Sequence, residues 1–262
     1  MSLIWNTILV NPLLNVLVFF YRTSGNLGIS IILLTVLIRF ILVPVMSPSL
    51  KSMKKQRDLQ PELDEIKKKY KNDKQKQAEK QMALFKQHGI NPASGCLSQI
   101  AMLIVLIALF NVIQLFAVKG DHSLINSKLY FEQHKLASEE TIDTGFLYLD
   151  YLAKPDPYFI LALLSGILQF IASKMTLPYV EKAEKAAKAT EPKSDDIAFQ
   201  MQQQSLYMMP IMNVVIGVTL PAGVVLYIVV TTIFTIVQNY LSTGWGGLQP
   251  WINKIKVKGL KK

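Results

Sequence analysis

The chain has 262 residues, 51% of them apolar and 18% charged, and a net charge of +10. That charged fraction falls below the roughly 25% of soluble proteins, and the apolar fraction excludes disordered and collagen-like classes. A single cysteine, Cys96, excludes an intramolecular disulfide framework, and three dispersed histidines offer no closed zinc site. The charges cluster between long apolar segments, so the composition points to an all-α integral membrane protein with charged loops.

In residues 1–26, Leu3 to Tyr21 is long enough to cross a bilayer. Asn11, Asn15 and Arg22 fall on one helical face, and Pro12 interrupts the run. A polar stripe opposite Ile, Leu and Phe suits a helix lying in the interface plane; a sixth span is the alternative. No basic leader or small-residue cleavage site marks a removable signal peptide. Residues 27–48 form the first span, apolar apart from small polar residues and Arg39.

Residues 49–92 carry twelve Lys/Arg and six Asp/Glu. Leu59, Leu63, Ile66 and Tyr70 recur at helical spacing, and Ala78, Met82 and Phe85 repeat the pattern. Lys71-Asn72-Asp73 supplies a turn between them, and Gly89 with Pro92 ends the second half. Two narrow apolar stripes can bury only one another, which predicts a coiled-coil hairpin.

A second span covers 97–118, a loop 119–156, a third span 157–178 and a polar connector 179–205. The apolar run 206–241 contains Pro221-Ala222-Gly223, so it reads as two spans, 206–220 and 223–241, around a tight turn. The tail 242–262 has five lysines and no acid, whereas the 119–156 loop has four basic and seven acidic residues. Cytoplasmic loops collect Lys and Arg, so the hairpin and tail belong inside, the 119–156 loop and the N-terminus outside.

Arg39 is the informative residue. It lies about 18 Å into its span, where a lone arginine costs roughly 2.5–3.5 kcal/mol on insertion scales. None of the spans contains Asp or Glu to pair with it. Snorkelling to the inner interface stays open, but a hydrated cavity explains the charge better. Other spans offer polar faces to complete one: Thr35 beside Arg39; Gln99, Asn111 and Gln114; Gln169 and Ser173; Tyr227, Thr231, Thr235 and Gln238. Any one of these is ordinary interhelical glue. Together they favour a shared hydrophilic groove.

Catalytic signatures are missing: there is no G-x-S-x-G, H-E-x-x-H, P-loop or dinucleotide fingerprint. His88, His122 and His134 lack metal-ligand spacing, so no catalytic residue, metal or cofactor is expected. The basic hairpin and tail attract anionic lipid or RNA through Coulomb forces alone.

Several strings now matter in their order. They are Leu33-Leu34-Thr35 with Arg39 and Pro44; Leu59-Gln60-Pro61-Glu62-Leu63 with Ile66-Lys67-Lys68-Lys69-Tyr70; and Gly89-Ile90-Asn91-Pro92 with Gly95-Cys96-Leu97. Met208-Met209-Pro210-Ile211-Met212 follows, then Pro221-Ala222-Gly223-Val224-Val225-Leu226-Tyr227 running into Phe234-Thr235-Ile236-Val237-Gln238. Across most of residues 3–241 the chain thereby resembles the YidC-type membrane-protein insertase family. Ser98 replaces a usual proline and Ile228 a usual tryptophan, which touches local kinking and interface anchoring.

The resemblance implies five transmembrane helices, an outer amphipathic helix, and a groove open to cytoplasm and lipid with Arg39 inside. It implies a minimal form in a bacterial plasma membrane. Substrates would be nascent membrane proteins, whose short polar tails enter the groove while their apolar helices slide into lipid. Flexible Met208, Met209 and Met212 would adapt to varied clients. The lysine tail would contact a ribosome, with a Sec-type translocon and anionic lipid as further candidate partners. An anion transporter or channel is the alternative; it requires an inverted repeat or a continuous polar path, and neither is legible here.

Overall fold

The computed structural model describes residues 2–70, 73–90, 94–116, 122–137, 140–176 and 204–259, and their regular elements are all helical. They form two compact units. The first comprises Met1–Val43, Gln99–Leu168 and Pro210–Phe234; the second comprises Pro44–Ser98, Gln169–Met209 and Thr235–Lys262.

In chain order the helices are α1 (Ser2–Trp5), a π-helical turn at Asn6–Val10, α2 (Asn11–Ser24), α3 (Leu27–Asp58), α4 (Gln60–Lys69), α5 (Lys74–Gln87) and α6 (Ser94–Leu115). Then come α7 (Ser123–Asn126), α8 (Ile160–Thr176), a second π-helical turn at Gln204–Met208, α9 (Met209–Thr219), α10 (Ala222–Thr243) and α11 (Gln249–Gly259). Leu3–Ser24, Leu27–Gln56 and Ala222–Ser242 are each long and apolar enough to cross a bilayer; Ile100–Leu115, Ile160–Thr176 and Leu206–Thr219 are shorter apolar helices.

The core of the first unit joins Leu14, Leu17 and Val18 of α2, Ile31 and Leu34 of α3, Leu109, Val112 and Ile113 of α6, and Val224 and Val225 of α10. At one end of these helices the described residues of 122–137 and 140–159, expected only as an acidic loop, form a hydrogen-bonded cap. A helix start leaves its first N–H groups without intrahelical partners, and burial there requires partners from elsewhere. This segment supplies them three times. Leu27 N–H of α3 donates to the Asp143 carbonyl (3.1 Å), and Asn26 caps Ile29 N–H while donating to the Gly145 carbonyl (2.8 Å). Ala222 and Gly223 N–H of α10 donate to the Lys154 (2.7 Å) and Leu152 (2.8 Å) carbonyls. Asp156 accepts from Leu161 N–H of α8 (2.9 Å), from Tyr158 N–H (2.9 Å) and from the Tyr148 hydroxyl (2.7 Å). At the other polarity, the Tyr151 hydroxyl donates to the Phe116 carbonyl just past α6 (3.2 Å). Packing is close enough that a Cβ on Gly28 of α3 would run into the Phe146 ring.

The polar stripe of α2 serves the same cap. Asn15 donates to the Lys128 carbonyl (2.9 Å) and accepts from Tyr130 N–H (2.7 Å). Arg22 pairs with Glu140 (2.6 Å), and the Tyr21 hydroxyl accepts from Asp143 N–H (2.9 Å). Asn15 and Arg22, whose spacing pointed to lipid headgroups, are thus held by protein. Pro12 does not break the helix, because it sits in the first turn of α2, where its missing N–H is not needed.

α3 also continues where the sequence reading ends a span at 48. It runs through Pro44 and Pro48 to Asp58. Each proline removes one backbone bond, and Ser47 Oγ donates to the Pro44 carbonyl (2.9 Å), occupying an acceptor near the break.

In the second unit, α4 and α5 close over Leu59, Leu63, Leu84 and Ile90, with Ile66 and Phe85 against them. Met82 and Ala78, expected in the stripe of the second helix, are exposed. The reason lies at Gly89, whose φ of +62° is open to glycine at no steric penalty. It lets Ile90 N–H return to the Phe85 carbonyl (2.8 Å), folding Ile90 back and centring the packing on Leu84. The tail is helical through Gly259, and Trp251 of α11 stacks its ring 3.4 Å from the Lys174 ammonium of α8.

Burial opposes ionisation of Asp156, but the N–H of Leu161, the Tyr148 hydroxyl and the N–H groups of Tyr158 and Ile160 outweigh it and hold the carboxyl below its ordinary range. Burial, and next the adjoining Asp156, push the Tyr148 hydroxyl well above its usual value. A lowered carboxyl stabilises the fold fully above its unfolded pKa of about 3.9, and that contribution disappears as pH falls through the lower folded value. Asp156→Ala should therefore lower stability by about 1–3 kcal/mol at pH 7, since it orphans buried donors. Thermal unfolding in detergent should show the gap from the native chain unchanged at pH 5 and closing below pH ~3.9.

Candidate functional site

Thr35 and Arg39 lie one turn apart on α3; Tyr227, Thr231 and Phe234 lie at i, i+4 and i+7 on α10. Both faces are lined by otherwise apolar helix, so any polar group turned inward must find its partner there. Arg39 Nη2 donates to the Thr231 backbone carbonyl (2.7 Å). Its guanidinium carbon stands 5.6 Å from the centroid of the Phe234 ring, over the negative face of the π system. Phe40 meets the Phe234 ring edge-on at 5.4 Å and holds it in place. The arginine side chain is 3% exposed, so it turns into the protein and does not snorkel along its helix toward an interface.

Thr35 is buried too, and its hydroxyl donates to the Ile31 carbonyl (2.6 Å). Tyr227 is buried next to Thr231 on the same face of α10. The result is a fixed positive charge in an apolar surround. A guanidinium presents five donors in a planar fork, matched to a carboxylate or another anion. Phe234, Thr231 and Thr35 thus surround the guanidinium with a ring, a carbonyl and a hydroxyl that is bonded to its own helix.

The other expected residues fall in different places. Asn111 and Gln114 are exposed, on the side of α6 opposite buried Leu109, Val112 and Ile113. Gln99 lies in α6, its side chain outside the described residues. In the second unit Gln169 Nε2 lies 3.4 Å from Ser173 Oγ within α8, and Thr235 and Gln238 are half-buried on α10. Met208, Met209 and Met212 are all exposed, at the π-helical turn and on α9. The polar connector 179–205 lies outside the described residues up to 203.

Sequence reasoning missed Phe234 as a partner of the charge, although its i+3 spacing from Thr231 was available. It also passed over Asn239, which is buried on α10. That residue is polar within an apolar run, which is the signal that singled out Arg39.

Phe234→Ala should destabilise the chain by about 1–2 kcal/mol, the worth of a desolvated cation–π contact, while Phe234→Tyr keeps most of it. Urea or thermal unfolding in detergent measures both.

The family profile described as 60Kd inner membrane protein matches residues 19–245. A protein of Fusobacterium nucleatum named membrane protein insertase YidC is 34% identical over 234 residues, 88% of this chain and 94% of that one. A Bacillus subtilis protein named membrane protein insertase MisCA is 32% identical over 245 residues, covering 92% of this chain and 79% of the relative. The Geobacter sulfurreducens protein named YidC is 30% identical over 236 residues, but there the match spans only 37% of the longer relative. Among solved structures, one titled an active YidC insertase crystal structure with its first transmembrane domain resolved superposes with a TM-score of 0.54. The identity is 25%, with 86% of this chain and 44% of that one covered.

Proposed function

The chain belongs to the 60Kd inner membrane protein family, and from that premise we propose that it is a membrane-protein insertase whose working charge is Arg39. The observation that carries this reading is a guanidinium buried inside an apolar helix, held by the Thr231 carbonyl and the Phe234 ring. A short acidic tail of a nascent protein entering the groove from the cytoplasm meets that charge. At an effective dielectric of about 20, two unit charges 4 Å apart attract by about 4 kcal/mol. The pull offsets part of the penalty of taking the tail's polar groups out of water. The client's apolar helix meanwhile passes into lipid, which supplies about 0.8 kcal/mol per buried CH₂. Nothing in the cycle calls for a nucleotide or metal.

Five spans follow in this reading: the apolar part of α3, α6, α8, α9 and α10. Three features of the first unit support it. The starts of α3, α8 and α10 and the end of α6 all reach the same capping segment, as alternating crossings require. That segment is the acidic one, which positive-inside bias puts outside. α2 stays with it from Asn15 to Arg22, whereas a crossing helix would leave the boundary within a turn or two, so α1 and α2 lie in the outer interface. The short α9 favours local thinning of the bilayer. Exposed Met208, Met209 and Met212 adapt to differing client helices, with Gln169, Ser173, Thr235 and Gln238 as polar lining. The basic α11 region contacts the ribosome, and a Sec-type translocon delivers some clients.

Reconstitution into protein-free liposomes tests the reading. Arg39→Leu should reduce insertion of a single-span client with an acidic tail by roughly tenfold, the equivalent of about 1.4 kcal/mol. Arg39→Lys should keep most activity, and a neutral-tailed client should respond little. Equal insertion of all clients by the leucine variant would remove the charge from the mechanism, and solute flux without insertion would favour an anion transporter.

A further inference from the structure

Two residues in the capping segment have a backbone that large side chains rarely adopt. Leu147 and Phe159 both have φ of +57°, among the described non-glycine residues the two with positive φ. A branched or bulky residue there is strained, and Asn or Gly is the ordinary occupant. Both side chains are also turned outward: Leu147 is 82% exposed and Phe159 45%. Strain kept at an exposed apolar residue has no use in a water-facing turn, where glycine would relieve it. It has a use if the apolar side chain is needed at that spot.

Leu147 sits at the tip of a two-residue hairpin, closed by Phe146 N–H to the Leu149 carbonyl (2.8 Å) and its reciprocal (2.9 Å). The base is fixed, because Phe146 packs on Gly28 of α3. The tip is joined to the turn before α8, because the Tyr148 hydroxyl binds Asp156 and the Tyr148 and Tyr158 rings lie 6.1 Å apart. From Phe159 the exposed apolar surface passes without a break into α8, through Ile160, Leu163, Leu164 and Ile167 at helical spacing.

The apolar stretch of α8 before Lys174 is short, about 20 Å from Ile160 to Ala172 against a hydrocarbon core of about 30 Å. Apolar lipid tails beyond Ile160 must meet something, and a charged or polar turn there would be costly to bury.

We infer that Leu147 and Phe159 form a lipid-anchoring lip, inserted into the acyl region of the bilayer leaflet next to the start of α8, which lengthens the apolar surface of that short helix. The partner is the hydrocarbon of the leaflet. The hairpin, tied to the starts of α3 and α8, holds the cap at a fixed depth. This inference rests on the reading of α8 as a membrane span.

The chain has one native cysteine, so depth can be measured by spin labelling in the full chain. In a Cys96→Ser background, nitroxides at Leu147→Cys and Phe159→Cys would be compared with Asp150→Cys and Leu163→Cys in vesicles of phosphatidylethanolamine and phosphatidylglycerol. Positions 147 and 159 should resemble 163, with oxygen accessibility exceeding nickel-chelate accessibility several-fold, while 150 shows the reverse. Leu147→Asn, which tolerates this backbone, should shift the label at 159 several-fold toward the chelate. Labels at 147 and 159 as open to the chelate as 150, or shielded from both reagents by a protein partner, would overturn the anchor while 163 still reads as lipid. If 163 also reads as aqueous, the spanning reading of α8 fails and the anchor fails with it.

Discussion

Unsatisfied backbone groups at helix ends govern how this protein is built. Every apolar helix that stops at a membrane boundary leaves N–H or C=O groups that neither lipid nor its own turns can satisfy. Here one segment between α6 and α8 meets that need for α3, α8 and α10, through the carbonyls of Asp143, Leu152 and Lys154 and the carboxylate of Asp156. Its own side chains are used up in the process. Asn126 bonds the carbonyl and N–H of Leu136, and Asn15 of α2 reaches in for Lys128 and Tyr130. A segment that bonds three helix starts is a structural part, and the helix starts it joins are held together by it.

Arg39 follows the same rule at another depth. A guanidinium inside apolar surroundings is tolerated when donors find acceptors and the charge finds polarisable matter. The Thr231 carbonyl supplies the first and the Phe234 ring the second. Neither neutralises the charge.

Parts of this were readable from residue order. The apolar runs, the proline-glycine break at Pro221-Gly223 and the charge at Arg39 stand out because hydropathy and helix breaking are local properties. The hairpin was readable as two stripes, yet its packing centre was misread. Leu84 takes the place of Met82, because the return of the chain at Gly89 brings Ile90 back, and that depends on a backbone angle and not on spacing. The continuation of α3 through Pro44 and Pro48 escaped for a related reason: a proline's local cost can be met by surroundings that the sequence does not list side by side.

The role of the polar residues divides along the same line. Asn15 and Arg22 on one face of a helix announce that the face is polar, but lipid headgroup and protein carbonyl are equally good partners on that evidence. Their partners are 113 to 118 residues away in the chain, so only tertiary contact could choose between them. Asn111 and Gln114 show the converse, being as polar as Thr35 and yet turned outward on α6. Local chemistry thus determined which segments are apolar and where charge falls among them. Which side each polar group faces, and what it bonds, was decided by helices packing together, since a hydrogen bond needs a particular atom in a particular place.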